Sequence, residues 1–168
     1  MAFNRKEKLR DNIEAIRTVF TLEKQQRAAT PEEREILGRF CGFGGLKCIL
    51  NPATNLLDAA QWTKSDRELF PLTAELHRLI RDNSKDEREY KRYFDSLKSS
   101  VLTAFYTPPE VVAALADTLH DNGITPHRLL DPSAGQGVFI SAFGAHAPGA
   151  EVMAFDKDLL TGKLLSFL

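Results

Sequence analysis

The sequence predicts an α/β protein in two parts, a helical N-terminal region over residues 1–100 and the beginning of an α/β domain over residues 101–168. Three observations lead to this division. Apolar residues recur at intervals of three and four through the first part. After Ser99-Ser100 they give way to short apolar runs bounded by Gly and Pro. A strand, a glycine loop, a helix and a second strand then follow in order, as at the start of a βαβ unit.

The first predicted helix covers about residues 4–27. Leu9, Ile13, Ile16 and Phe20 form its apolar face, with charged residues between them. Two later helices are predicted around residues 69–80 and 90–97 from the same spacing. The first hundred residues are therefore expected to be all-helical.

The sequence Thr30-Pro31-Glu32-Glu33 predicts the start of a second helix. Thr30 can cap, Pro31 fits the first turn, and Glu33 completes a capping box. We expect this helix to end at the glycines of residues 42–45, because paired glycines favour a left-handed C-cap. Residues 42–64 then form an irregular connection.

The C-terminal part begins with a similar start, Thr107-Pro108-Pro109-Glu110, which predicts a helix capped by Thr107 that ends at Gly123. Four elements are expected after it: a strand at 128–131, a tight glycine loop at 132–137, a small helix at 138–144 and a strand at 151–155. The final run, residues 163–168, looks like the start of another helix.

Composition indicates a globular protein, with 43% hydrophobic and 27% charged residues. No run approaches the roughly 20 apolar residues that span a bilayer, and no signal sequence opens the chain, so we expect a cytoplasmic protein without a membrane partner. Cys41 and Cys48 lie far from the histidines, which predicts reduced thiols and no metal site.

Charge differs between the two parts. Residues 1–100 carry 19 Lys and Arg against 16 Asp and Glu, whereas residues 101–168 carry 3 against 7. Phosphate contacts dominate the affinity of proteins for nucleic acid. If DNA binds, we therefore expect the contacts to come from the N-terminal region or from sequence beyond residue 168.

The glycine loop runs directly from an apolar strand, in the order Leu129-Leu130-Asp131-Pro132-Ser133-Ala134-Gly135-Gln136-Gly137. Small residues here let a ligand approach the backbone at the carboxyl end of the strand. Asp131 at the strand tip would repel a pyrophosphate but attract a cationic amino-acid ligand. Asp156 follows the second strand, where an acid usually binds ribose hydroxyls, so the two acids would bracket an aminoacyl-nucleoside.

Asp131-Pro132-Ser133-Ala134-Gly135-Gln136-Gly137, followed by Phe139, resembles the cofactor loop of N6-adenine DNA methyltransferases. Upstream, Ala104-Phe105-Tyr106-Thr107-Pro108 is similar to that family's Tyr-Thr-Pro motif. The resemblance implies the start of a Rossmann-like methyltransferase fold with S-adenosylmethionine as its cofactor. It implies that Tyr106 and Thr107 contact the methionyl part, that Asp131, Ser133, Ala134, Gly135 and Gly137 form the loop beneath it, and that Asp156 binds ribose.

The N-terminal region adds a second resemblance. The residues that carry the similarity are Pro31-Glu32-Glu33, Phe40-Cys41-Gly42-Phe43-Gly44-Gly45-Leu46, Trp62 and Tyr93. Through them this region is similar to the leader of large methylase-helicase proteins of conjugative elements and phages. This implies a mobile-element or restriction-modification setting. A phosphate-binding role for the glycines is disfavoured, because the Walker pattern is absent.

Members of the methyltransferase family hold the flipped adenine in an Asn/Asp-Pro-Pro-aromatic motif. The 168 residues contain none, and Asn51-Pro52-Ala53-Thr54 lacks both the second proline and the aromatic. We therefore expect no catalytic residue here, a fold that is truncated or completed by a partner chain, and no activity of this chain alone.

Two other functions stay open. A nicotinamide-binding Rossmann domain would also have an acid after the second strand, but Ile140 stands where its third glycine should be. A non-catalytic module that binds DNA or protein would use the N-terminal helices, and its DNA binding would fall steeply with salt.

Overall fold

The computed structural model describes residues 4–168. Its helices and strands are α1 (Arg5–Gln25), α2 (Pro31–Gly38), α3 (Phe70–Asp82), α4 (Glu87–Thr103), α5 (Pro109–Asp121), β1 (Arg128–Asp131), α6 (Val138–His146), β2 (Glu151–Ala154) and α7 (Leu159–Leu165). Three short 3-10 helices, at residues 47–50, 56–61 and 67–69, lie between α2 and α3. The molecule is thus mixed helical with a small sheet, as the α/β prediction requires.

The helix starts in the N-terminal region follow local side-chain capping. Asn4 accepts a hydrogen bond from the Glu7 N–H at the start of α1. At α2, the Thr30 side chain accepts from Glu33 N–H, and the Glu33 carboxylate accepts from Thr30 N–H. The predicted capping box is confirmed. It satisfies two of the N–H groups that every helix start leaves without a partner in the helix.

The predicted end of α2 is wrong. The helix stops at Gly38, four residues before Gly42. The side chain of Asn12 in α1 forms hydrogen bonds with two backbone groups that a longer helix would use itself. Its amide N–H donates to Gly42 O at 2.7 Å, and its amide oxygen accepts from Cys41 N–H at 2.9 Å. A tertiary contact therefore ends this helix. The connection after it is also more regular than expected, since it holds two of the 3-10 helices.

Most of the apolar core lies in the N-terminal region. The α1 face predicted from Leu9, Ile13, Ile16 and Phe20 is buried against α3, α4 and the loop after α2. That loop contributes Phe40 and Phe43, whose rings meet edge to face at 6.1 Å. Trp62 packs in the same way on Phe70 at 5.3 Å. The helices of this region thus share one continuous core.

The βαβ unit forms as predicted. β1 and β2 pair in parallel, with Arg128 opposite Glu151 and Asp131 opposite Ala154, and α6 connects them. Among residues 4–168 this sheet has two strands. Its apolar side chains, including Leu130 and Met153, are exposed, because two strands and one helix cannot cover both faces of a parallel sheet.

Helix α5 departs from the prediction at its start and agrees at its end. Its N-cap is Pro108, with no side-chain cap, so Thr107 does not cap it. Pro108 O accepts from Val111 N–H at 3.0 Å and the helix begins one residue later than expected. Gly123, at φ +76°, ends it through a hydrogen bond from its N–H to His120 O.

Helix α7 attaches the α/β unit to the N-terminal core. Leu160 and Leu164 are buried in that core. Asp158 caps α7 through Thr161 N–H and accepts from the Ser96 hydroxyl of α4 at 2.7 Å. Lys163 forms an ion pair with Glu23 of α1 and lies near the Tyr93 ring. A terminal helix is present as predicted, but it begins four residues earlier than expected and ends at Leu165. It packs between α1 and α4.

In residues 4–168, no helix combines the length and the apolar character needed to cross a membrane.

Candidate functional site

A cavity of about 360 Å³ lies where the α/β unit meets the end of α4. Its volume falls within the range of about 300–1,000 Å³ typical of small-molecule sites. Four chain segments line it, namely Ser99 to Thr107, Ser133 to Phe139 at intervals, Asp156 to Asp158, and Thr161. Of the residues singled out in the sequence, the cavity brings together Tyr106, Thr107, Ser133, Ala134 and Asp156.

The glycine loop is held by hydrogen bonds of its own backbone. Gly135 and Gly137 have φ values of +53° and +73°, which residues with a side chain rarely adopt. Four of its N–H groups are engaged: Ser133 donates to Asp131 Oδ1, Ala134 to Phe155 O, Gly135 to Asp156 Oδ2 and Gly137 to Ala134 O. Most backbone N–H groups of the loop are therefore already bonded to acceptors of this chain, so the loop itself has few free N–H donors for an anion.

Asp156 stands between the loop and the second strand. Its Oδ2 accepts from Gly135 N–H at 2.8 Å, and its Oδ1 accepts from Asp158 N–H at 2.7 Å. These bonds fix the carboxylate at the cavity wall while leaving further lone pairs for hydroxyl donors. Asp156 therefore lies at the cavity with acceptor capacity left over, and it also supports the loop, a role that the sequence did not indicate.

Asp131 lies on the other side of the strand tip. One oxygen accepts from Ser133 N–H at 3.0 Å, and Oδ2 is buried with no hydrogen-bond partner among the described residues. The residue lines a second, apolar cavity of about 330 Å³ with Leu129, Leu130 and the α6 face that carries Phe139 and Phe143. Asp131, Gly135 and Gly137 do not line the first cavity.

Tyr106 is half-buried, and its ring lies against the glycine loop. A Cβ atom placed on Gly135 would come within 2.8 Å of a Tyr106 ring carbon. Burial raises the pKa of the Tyr106 hydroxyl to about 12, while a hydrogen bond with the Thr161 side chain acts in the opposite direction. The phenol is therefore neutral at physiological pH and can serve as a hydrogen-bond donor.

Electrostatically, the cavity favours a cation over a phosphate. Asp156 and Asp158 contribute two carboxylates to its wall, and Lys157 contributes one ammonium group. The exposed ring of Phe105 and the partly exposed ring of Phe139 provide apolar surface beside these charges. Carboxylate acceptors and aromatic ring surface therefore lie side by side in this cavity.

The N-terminal region contributes residues that sequence reasoning did not assign to the site. Ser99, Ser100 and Thr103 of α4 line the cavity. Behind them, Gly42 and Gly44 pack on the segment that leads to Tyr106: a Cβ atom on Gly44 would lie 2.2 Å from Ala104 O. The run of glycines at 42–45 was the signal in the sequence that could have indicated a close backbone contact. Its contact partner, Ala104, is some 60 residues away, so the sequence did not identify it.

Comparison with known proteins gives one partial match. Over 62 residues the chain is 39% identical to the type II methyltransferase M.XamI of Xanthomonas campestris pv. amaranthicola. The match covers 37% of this chain and 12% of the relative's length. No family model matches the chain, and no solved structure matches it. Part of this chain is therefore related to a methyltransferase.

Proposed function

We propose that this chain is a segment of an S-adenosylmethionine-dependent DNA methyltransferase of the N6-adenine type, and that its cavity binds the cofactor. One observation supports this most directly. Two motifs that resemble that family, at Tyr106-Thr107 and at Asp131 to Gly137, are 24 residues apart in the sequence but pack together at one cavity. The partial relationship to a methyltransferase points the same way.

The charges of the cavity fit the proposed cofactor. S-adenosylmethionine has a positively charged sulfonium, two ribose hydroxyls and a flat adenine. The carboxylates of Asp156 and Asp158 would attract the cation and accept from hydroxyls. In this proposal Tyr106 and Thr107 hold the methionyl part, and Phe139 gives the base an apolar surface. When bound, the cofactor supplies an activated methyl group.

The same loop argues against a nicotinamide dinucleotide. Rossmann domains bind pyrophosphate through free backbone N–H groups of the glycine loop and the helix after it. Here Ser133 and Gly135 N–H already donate to the carboxylates of Asp131 and Asp156. A pyrophosphate bound at the loop would lie close to these two fixed carboxylates, which would repel it.

Thermal unfolding of the purified chain tests the ligand. A ligand at about 100 times its dissociation constant adds roughly 2.7 kcal/mol to the free energy of unfolding. We expect S-adenosylmethionine to stabilise the chain, S-adenosylhomocysteine, which lacks the sulfonium charge, to stabilise it less, and NAD to have no effect. Backbone amide shifts caused by S-adenosylhomocysteine should cluster at residues 133–139 and at Tyr106.

The matched variants are Asp156→Asn and Asp121→Asn, which remove the same charge. Asp156 lies at the cavity, whereas Asp121 is exposed at the end of α5. We expect only Asp156→Asn to weaken binding, judged against its own ligand-free melting temperature because Asp156 also holds the loop. Stabilisation by NAD alone, or equal effects of both variants, would contradict the proposal.

DNA is the proposed substrate, and the N-terminal region is its proposed binding surface. Arg5, Arg17 and Arg27 are in ion pairs, whereas Lys6 and Arg10 are exposed one turn apart on α1. Replacing both with Gln should weaken duplex binding and lower the salt slope by about 0.9 for each lost phosphate contact. An unchanged slope would place the DNA surface elsewhere. Because the base-holding motif is not among the 168 residues, we expect no methylation from this chain alone.

The exposed apolar side chains of the sheet lead us to propose that another segment of protein covers it. Leu130 is 66% exposed and Met153 is 52% exposed, although both belong to a parallel sheet, a structure that is normally covered on both faces. We expect further strands, from the same polypeptide or from another chain, to cover them.

A further inference from the structure

The Cys41 to Gly45 loop of the N-terminal region packs behind the wall of the candidate cofactor cavity. A Cβ atom on Gly42 would lie 2.4 Å from Ala104 Cβ and 3.2 Å from the Tyr106 hydroxyl oxygen. A Cβ atom on Gly44 would lie 2.2 Å from Ala104 O. Real Cβ atoms do not approach other atoms so closely, so only glycine fits at either position without a shift of the Ala104 to Tyr106 segment.

Tyr106 connects this loop to the glycine loop of the α/β unit. Its hydroxyl faces Gly42, and its ring edge faces Gly135, where a Cβ atom would lie 2.8 Å from a ring carbon. The aromatic ring is therefore held between two glycines that are 93 residues apart in the sequence. A displacement on the Gly42 side must move the ring relative to Gly135.

The loop itself is fixed by buried polar contacts. Asn12 of α1 is completely buried and binds Gly42 O and Cys41 N–H through its amide group. The Ser100 hydroxyl of α4 accepts from Phe43 N–H at 3.1 Å. Buried polar groups are costly unless they are paired, so these three bonds hold the loop in one position.

We infer that the Gly42 to Gly44 loop and Asn12 are positioning elements of the ligand site, which set its affinity by pressing Tyr106 against the Gly135 loop. This inference rests on the proposed function for the identity of the ligand. Gly42, Gly44 and Asn12 do not line the cavity and touch no ligand there. They act through Tyr106, and they make the N-terminal region part of the binding site.

A set of glycine variants tests this. Gly42→Ala introduces both the contact with Ala104 and the strain of a side chain at φ +65°. Gly123→Ala is the matched control, because Gly123 has φ +76° and no atom within 4 Å of the added Cβ. Adding Ala104→Gly to Gly42→Ala removes the 2.4 Å contact and leaves the strain. The difference between these variants isolates the contact.

Two readouts are needed. The first is the amide resonance of Gly135 in the ligand-free chain, recorded by ¹H–¹⁵N correlation. The second is the dissociation constant of S-adenosylhomocysteine by calorimetry. We expect Gly42→Ala to shift the Gly135 resonance and weaken binding about tenfold or more, since small displacements in a binding site are costly. Gly123→Ala should do neither, and Gly42→Ala/Ala104→Gly should recover most of both.

If Gly42→Ala does not fold, Asn12→Ala tests the same positioning by removing two of the three bonds that hold the loop. Equal Gly135 resonances and equal affinities in the Gly42 and Gly123 variants would overturn the inference. Failure of the wild-type chain to bind S-adenosylhomocysteine would count against the proposed function alone, because the Gly135 resonance of the ligand-free variants still decides whether the loop positions Tyr106.

Discussion

The two regions of this protein bury their apolar residues very differently. Most fully buried apolar side chains belong to residues 9–101, whereas the large apolar side chains that are exposed in the described part of the chain, apart from Leu57, belong to residues 102–168. The glycine loop, Asp156 and most of the residues that line the cavity are in this second region, and Ser99 and Ser100 of α4 complete the cavity wall. The N-terminal helices thus contain most of the core, and the α/β unit, which holds most of the candidate site, depends on those helices for its position. Four predictions test this contrast, from the largest expected effect to the smallest.

Core truncation should separate the regions most clearly. Leu76 of α3 is completely buried and Leu130 of β1 is 66% exposed. We expect Leu76→Ala to cost about 2–5 kcal/mol in the free energy of unfolding, and Leu130→Ala to cost less than about 0.5 kcal/mol. Urea unfolding measures both. Comparable losses in the free energy of unfolding would mean that the side chains of the α/β unit contribute as much to stability as those of the N-terminal core.

The attachment of α7 should be the next largest effect. Ser96→Ala removes the hydroxyl that donates to Asp158 and accepts from Leu160 N–H, so two groups lose their partner in a largely buried place. We expect a loss of about 1–3 kcal/mol. Hydrogen exchange should accelerate in α7 more than in α3. Uniform acceleration throughout the chain would show that α7 and the front helices unfold as one unit.

The two Thr-Pro starts form a matched pair with different outcomes. Thr30→Ala breaks a complete capping box and should cost about 1 kcal/mol. Thr107→Ala removes no cap, so its unfolding free energy should change by less than about 0.5 kcal/mol. Its affinity for S-adenosylhomocysteine should fall, because Thr107 lines the cavity. The reverse order of the two stability effects would contradict the structure.

Alkaline pH should reveal the burial of Tyr106. Its pKa is raised from 10.0 to about 12, so the unfolded chain loses this proton before the folded chain does. The stabilisation is complete below about pH 10 and is lost as the pH rises through about 12. Tyr106→Phe should therefore lose less stability than wild type between about pH 10 and about pH 12 in denaturant titrations. Parallel pH profiles would indicate that the hydroxyl is solvated.

The elements that could be predicted are those set by nearby residues. The capping box at Thr30 to Glu33, the strand at 128–131 and the glycine stop at Gly123 all depend on bonds within a few residues. Asp156 was placed correctly after the second strand for the same reason. Its bond to Gly135 was not foreseen, because 21 residues separate the two.

The features that could not be predicted depend on distant partners. The end of α2 is set by Asn12, about 30 residues earlier, and the glycines at 42 and 44 are required by Ala104 and Tyr106. Thr107 shows the opposite case, where a local pattern suggests a cap but the chain uses the residue at a cavity wall. Spacing alone contains no information about such contacts.

The ion pair between Lys163 and Glu23 joins residues 140 positions apart. During synthesis, α1 leaves the ribosome long before α7 exists, so the surface between α1 and α4 that α7 covers is open for most of translation. Contacts of such separation also slow folding, because the loop must close before the contact gives any stability. The α/β unit can therefore attach to the helical core only after α7 has been made, and a chain interrupted shortly before residue 160 would leave the glycine loop without this attachment.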